Sequence, residues 1–503
     1  MRPQTLWFSW SLHPPGGADR FGMSPSCIRP AEPRAQSIDT HAWHHADPMN
    51  RPSIATDTRP LWRIFLAFLG PMIVGNVLQG LSGTFNAVFV GQMLGTRALA
   101  ATAAVFPIVF FFITLVIGIG AGGSVLIGQA WGAKETHKVK AIAGTAITLG
   151  FGVGLVIALF GGVFTEHLLH ALGTPADVVD DAIGYARLMM LAMPGLMVFI
   201  LITQLLRGVG DTVTPLYALL LSTIVSCVMT PAFIRGWGGL PQLGVTSAAA
   251  ASIVSFIAAL LYLGVHLRRA NHPLSPDREL LRSLRIQPQL LKLVLKIGMP
   301  TGIQMVVISL AEIALLALVN GFGSDATAAY GAVNQVVNYV QFPALSIAIT
   351  ASILGAQAIG AGRTDKLGAI TRTGIVLNLV ITGSLVVIGY LFSRHLIALF
   401  ITSQPVIELA QTLLHIMLWS SVVFGCASVI SGVMRASGTV LVPMSISIFC
   451  IVAIEVPAAY GLSQRIGLEG VWWSYPITFV SMLVLQSAFY RLVWRKTKIE
   501  RLV

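Results

Sequence analysis

One ten-residue stretch occurs twice in this chain. It reads Leu206-Arg207-Gly208-Val209-Gly210-Asp211-Thr212-Val213-Thr214-Pro215 and returns as Met434-Arg435-Ala436-Ser437-Gly438-Thr439-Val440-Leu441-Val442-Pro443. Arg207, Gly210 and Pro215 fall on Arg435, Gly438 and Pro443 at a shift of 228 positions (435 − 207). The same shift lays Gln129-Ala130-Trp131-Gly132-Ala133 on Gln357-Ala358-Ile359-Gly360-Ala361, and Gly95 on Gly323. A register that holds from Gly95 to Pro215 makes the chain two copies of one unit of about 230 residues. The fold must therefore be built from two like halves.

Both halves are too apolar for water. Of 503 residues, 55% are hydrophobic and only 10% are charged, with a mean hydropathy of +0.79. Apolar runs of about 20 residues recur, long enough to cross a bilayer, and backbone in hydrocarbon must then be helical. Twelve spans are expected, at 62–92, 98–128, 139–164, 182–206, 213–235 and 244–267, then at 292–320, 326–356, 367–392, 407–434, 440–462 and 468–493. The expected fold is an all-α polytopic membrane protein of twelve transmembrane helices in two six-helix repeats. Six is even, so both copies enter the membrane in the same direction. That makes the repeats parallel, with a pseudo-two-fold along the membrane normal, and two facing bundles enclose a central cavity.

The expected organisation is a polar leader at 1–58, lobes at 60–267 and 292–495, a basic linker at 268–291 and a basic tail at 496–503. The leader lacks an apolar core of its own and is expected to be disordered, with translation starting near Met49. Its His41, His44 and His45 are close together, but nothing apolar there builds a frame for a metal. Lys134, Lys138, Lys140, Arg268, Arg269, Arg278 and Arg282 fall on one side of the expected topology, while the other holds Arg97, Arg187, Arg235, Arg394 and Arg465. That asymmetry places both termini in the cytoplasm and the chain in the cell's inner membrane. It also accounts for the net charge of +12 without a nucleic-acid partner. Cys27, Cys227, Cys426 and Cys450 show neither zinc nor disulfide spacing. No phosphate loop, HExxH or catalytic triad is present.

The spans hold few acids, and Glu312 and Glu455 stand out. A carboxylate in hydrocarbon is costly, so it faces a cavity or a partner and marks an ion or proton path. These two are the candidates for cation or proton coupling. Glu455 also lies two residues before Pro457, where it could instead satisfy backbone groups freed by a kink. Asn76, Gln79, Gly83 and Asn86 recur at helical spacing on the first span, and Tyr330, Asn334, Asn338 and Gln341 on the eighth. Each stripe reads either as cavity lining or as polar packing between helices. Gln304, two turns before Glu312, is placed on the same path. Arg207, Gly210, Pro215, Arg435, Gly438 and Pro443 are assigned a structural or gating role, and Asp211 an exposed pairing with a nearby arginine. Pro107, Pro194, Pro231, Pro343 and Pro457 mark expected kinks. Gly118, Gly120, Gly122 and Gly123 mark close helix packing.

At this point the chain resembles the multidrug and toxic compound extrusion (MATE) family of secondary transporters. The residues that carry the likeness are Gly70-Pro71, Phe85-Asn86-Ala87-Val88-Phe89-Val90-Gly91, Gly128-Gln129-Ala130-Trp131-Gly132-Ala133, the repeated Arg-x-x-Gly-x-x-x-x-Pro and Val456-Pro457-Ala458-Ala459-Tyr460-Gly461-Leu462. The resemblance implies two lobes in a V, alternating access, and export of small amphipathic organic compounds against protons or sodium ions. It implies no enzyme activity and no cofactor. Many relatives carry an Asp where this chain has Asn86, some a Glu nearer Ile308, and some an Asp where this chain has Gly425. Glu312 resembles a second acidic position. With so few acids, protons are favoured over sodium as the coupling ion; the monomer is taken as the working unit. A flippase for lipid-linked envelope precursors is the alternative.

Overall fold

The apolar runs become long helices. The computed structural model describes residues 59–171, 174 and 178–503; the leader and the start at Met49 lie outside them. The first repeat supplies α1 (Leu61–Leu94), α2 (Thr96–Gly132), α3 (Thr136–Ala171), α4 (Val179–Gly208), α5 (Val213–Arg235) and α6 (Ser247–Arg269). A short α7 (Arg278–Ser283) lies in the linker. The second repeat supplies α8 (Pro288–Asn320), α9 (Ser324–Gly360), α10 (Leu367–Leu391), a short α11 (Ser393–Ala398), α12 (Gln404–Leu418), α13 (Ser420–Ala436), α14 (Leu441–Phe449), α15 (Val456–Ile466) and α16 (Leu468–Leu492). α12 with α13 makes one span, and α14 with α15 makes another. Twelve candidate membrane spans result among the described residues, each overlapping an expected one.

The repeated motif is a helix–turn–helix joint. The Arg207 carbonyl accepts from the Gly210 N–H, and the Arg435 carbonyl from the Gly438 N–H, both at 2.9 Å. Gly210 (φ 97°) and Gly438 (φ 81°) are left-handed, a conformation that a side chain disfavours. Pro215 and Pro443 then sit in the first turn of α5 and α14, where their missing N–H is no loss. Asp211 buries its side chain and caps the next helix. Its carboxylate accepts from the Val213 and Thr214 N–H groups at 3.2 and 3.0 Å and from the Thr214 hydroxyl. It also faces His272 Nε2 at 3.6 Å, with both side chains buried. The short Asp side chain prefers the orphan N–H groups of the next helix.

Not every expected kink is a break. The helices run on through Pro107, Pro194, Pro231 and Pro343. The chain departs from α-helix at two other places. One is Trp419, between α12 and α13; the other is a π-helical stretch, Cys450–Glu455, that feeds Pro457 into α15.

The glycine run serves two neighbours at once. A Cβ on Gly118 would lie 2.7 Å from the Gly298 O and Gly302 N atoms of α8, while one on Gly120 would meet Gln204 of α4 at 2.9 Å. Gly122 repeats the approach to α8 and Gly123 the approach to α4. α2 is thus wedged between its own lobe and the other. From Gly118 to Gly132 every residue of α2 except Ala121 is buried, as is α9 from Ser346 to Gly360 except Ile349. These are the halves of α2 and α9 near the linker. The lobes meet there, at what is called below the linker end.

The linker is docked on the first lobe. Lys140, buried on α3, reaches Asp277 and Glu279 at 2.5 and 2.7 Å. Asp277 also accepts from the Leu280 N–H at 2.9 Å and so caps α7. Burial pushes the Asp277 carboxyl up, but the Lys140 and Leu280 hydrogen bonds outweigh it and hold the group below its ordinary 3.8. A depressed carboxyl contributes its stability above the unfolded value and loses it as pH falls through the folded one. A fluorescent probe on Arg282→Cys should therefore show constant anisotropy from neutral pH down to about 4 and a fall below it. A fall already at pH 6 would contradict this docking.

Candidate functional site

Two carboxyls and two phenols gather in the second lobe, in the half away from the linker. Glu455 ends the π-helical stretch and is 6% exposed. A π turn inserts one residue into the helix and re-aims those after it. Glu312 lies on α8 and is exposed. It lies within electrostatic range of Glu455, and both carboxyls lie within that range of Tyr330 and Tyr475. The Tyr330 and Tyr475 hydroxyls share a hydrogen bond of 3.2 Å, and Trp472 packs against both rings at 5.4 and 6.0 Å. Among the described residues, Glu455 makes no hydrogen bond to the backbone around Pro457, so it does not serve the kink. A carboxylate without a donor is expensive to keep charged away from water. A proton or a cation held there would relieve that cost.

The polar stripes divide. Asn76 crosses between lobes and donates to Ser346 Oγ of α9 at 3.1 Å. Asn86 stays in its own lobe, where its Oδ1 accepts from Ser226 at 3.2 Å and Thr230 at 3.0 Å of α5. Gln79 and Gly83 are exposed. On α9, Tyr330 is buried in the acid cluster, Asn334 and Gln341 are half-buried and Asn338 is exposed. Gln304 lies on α8 two turns before Glu312. It lines a recess with Ser431, Arg435, Thr439 and Pro443, nearer the linker end than Glu312.

Gly425 also has a physical explanation. Asn378 of α10 fills the space a side chain there would need, and it is tied to the Val422 carbonyl at 2.9 Å and to Thr382 at 3.0 Å. An Asp at 425 has no room. The second acid of this lobe comes instead from the eleventh span, as Glu455.

The linker end is shut by a pair of glutamines. Gln129 Nε2 donates to the Ala436 carbonyl at 2.8 Å, and Gln357 Nε2 to the Gly208 carbonyl at 3.1 Å. Donor and acceptor are both related by the 228-residue shift, so each lobe grips the other's helix–turn–helix joint. Gly132 lies against the Gln357 backbone and Gly360 against that of Gln129, both too close for a side chain. Arg207 and Arg435 end the gripped helices and are half-buried; Arg207 donates to Gln204 at 3.1 Å. Gln129 and Gln357 were visible in the sequence as matching marks of the repeat. Their signal was an amide kept in both copies amid apolar neighbours. Tyr475 gave no such signal.

Two like bundles that meet at one end, with polar groups between them and acids in one lobe, define a membrane transporter rather than an enzyme. The chain belongs to the MatE family, whose model matches it twice, over residues 71–232 and 300–460. It is 45% identical to the probable multidrug resistance protein YoeA of Bacillus subtilis, over 88% of this chain and 96% of that one. It is 24% identical to the multidrug export protein MepA of Staphylococcus aureus, over 82% and 90%. Among solved structures, an outward-facing multidrug resistance MATE transporter superimposes with a TM-score of 0.79 at 22% identity, covering 87% of this chain and 97% of that one. A point mutant of the Vibrio cholerae MATE transporter VcmN gives 0.81 at 20% identity, covering 87% and 98%. At those identities the structures establish the shared fold.

Proposed function

We propose that this protein exports small amphipathic organic compounds in exchange for protons, by alternating access between its lobes. The observation that carries the reading is the Glu312–Glu455 pair with its tyrosines, the acid cluster of a lobe whose opposite end is closed. The linker end is assigned to the cytoplasm, which puts both termini inside and leaves the cavity open outward. Protonation of Glu312 from outside favours substrate release; deprotonation inside favours rebinding. Such a cycle turns because each ligand binds one state better than the other. Sodium fits less well. A sodium site needs several oxygens converging on one ion, usually with a carboxylate among them, and the spans hold few acids. A lipid-linked pyrophosphate would call for cations in the cavity, whereas Arg207 and Arg435 sit at the closed end and the open half holds acids. The protein is taken to work as a monomer.

The test is ethidium efflux from cells expressing the chain, with and without a protonophore and with and without sodium. Efflux that stops with the protonophore and ignores sodium is expected. Efflux that follows sodium and survives the protonophore would overturn proton coupling. No efflux of any dye from a well-expressed protein would move the reading to envelope precursors.

A further inference from the structure

The chain runs on past its last membrane helix. After α16 a 3-10 turn, Trp494–Lys496, redirects it. Trp494 Nε1 donates to Ser437 Oγ at 3.0 Å and pins that turn to the joint between α13 and α14. The following residues cross to the other lobe. The Leu502 N–H donates to Gln129 Oε1 at 2.8 Å. Arg501 pairs with Glu135, in the turn between α2 and α3. The Leu502 side chain covers Gly438, where an added Cβ would lie 2.8 Å from its Cδ1. Ile499, Leu502 and Val503 pack on the core that spans both lobes. A segment joined covalently to the second lobe is thus held by the first at two points, Gln129 and Glu135.

Gln129 connects this segment to the seam. Its amide nitrogen grips the Ala436 carbonyl of the second lobe while its oxygen holds the tail. The linker is the tail's counterpart, since each follows the sixth span of its repeat. The linker, however, folds onto its own lobe, through His272 to Asp211 and Asp277 to Lys140. Among these two, the tail is the one tied across the seam.

We propose that residues 498–503 form a strap that fastens the two lobes together at the linker end and must release Gln129 and Glu135 each time that end opens. The strap sets how readily the transporter turns from one face to the other, and this rests on the alternating opening proposed above. The exposed Arg501–Glu135 pair contributes little alone. The Leu502 amide bond and the covered leucine contribute more, and together they bias the closed state roughly five- to tenfold.

The test uses spin labels at His137→Cys on α3 and Thr364→Cys before α10, both exposed at the linker end, in a full-length chain with its native cysteines replaced. Distances are read in liposomes with neither substrate nor ion gradient. In Arg501→Ala/Leu502→Asp the ratio of wide to narrow distances should rise roughly five- to tenfold over the unaltered tail. The charge swap Glu135→Arg/Arg501→Glu should bring the ratio back towards that of the unaltered chain, where Arg501→Glu alone raises it. An unchanged distribution in the double variant overturns the strap. In a second arm, Glu135→Cys and Arg501→Cys are joined by a cleavable bifunctional thiol reagent. The joined protein should stay narrow and resume opening on cleavage; opening with the link in place overturns the proposal. Neither distance reading depends on which compound or ion is carried, so an error in the coupling reading leaves this result standing.

Discussion

Glu312→Gln should lower proton-driven dye efflux at least about tenfold, the scale set by ligand couplings of 1–3 kcal/mol. The amide keeps the shape and polarity of the acid but cannot take up or lose a proton near neutral pH. If Glu312 is where proton and substrate compete, the variant should still bind dye and should lose the dependence of binding on pH. Glu312 is exposed while Glu455 is buried, which makes Glu312 the better placed of the two to exchange a proton. Glu455→Gln should therefore act more weakly, by removing a neighbouring charge rather than the exchanging group. The measurement is pH-dependent dye binding by fluorescence polarisation, beside efflux in energised vesicles. Efflux of Glu312→Gln at the unaltered rate, with its proton dependence intact, would remove Glu312 from the mechanism.

The second large effect is expected at the seam. A Cβ on Gly298 would lie 2.6 Å from the Gly118 carbonyl oxygen and 2.9 Å from Ile119 Cα. Both are backbone atoms and cannot swing aside. Gly298→Val should force α8 from α2 and cost the closed state about 1–3 kcal/mol or more, as overpacking does elsewhere. That moves the balance of states between roughly fivefold and a hundredfold and more. Gly302, one turn along the same helix, is the control. A Cβ there would meet its nearest atom, the Thr114 carbonyl oxygen, at 3.6 Å, which is ordinary contact. Gly302→Ala should leave both the labelled distance at the linker end and the efflux rate unchanged. If both variants behave alike, the seam is not packed as described.

The twofold repeat, the twelve spans and their helical character were legible in the sequence. They follow from properties that each residue carries with it: length of apolar run, scarcity of charge and a register that recurs. An apolar run of about 20 residues in hydrocarbon satisfies its backbone by bonding within its own helix, so the length of the run decides secondary structure there. The Arg-x-x-Gly-x-x-x-x-Pro joint was legible for a similar reason. A left-handed glycine and a first-turn proline are local demands, met within one short stretch.

Partners across space were not legible. Asn76 and Asn86 share one stripe of α1, yet one bonds Ser346 in the other lobe and the other bonds Ser226 and Thr230 in its own. Helical spacing shows which face a residue is on but not what stands opposite. Gln304 and Glu312 were placed together by the same spacing, but that spacing did not show that Gln304 borders a recess with Arg435. Trp419 interrupts a span without a proline to announce it, while Pro107, Pro194, Pro231 and Pro343 sit inside continuous helices. Asp211 caps the orphan N–H groups of α5 and faces His272, because the turn brings those groups to it. The sequence by itself determined a doubled, twelve-span helical membrane protein, since hydrophobic length and backbone hydrogen bonding are local. Only the tertiary structure decided that Tyr330 and Tyr475 bond near Glu312 and Glu455, that Gln129 and Gln357 close the seam, and that the tail crosses it, because those arrangements join segments far apart in the chain.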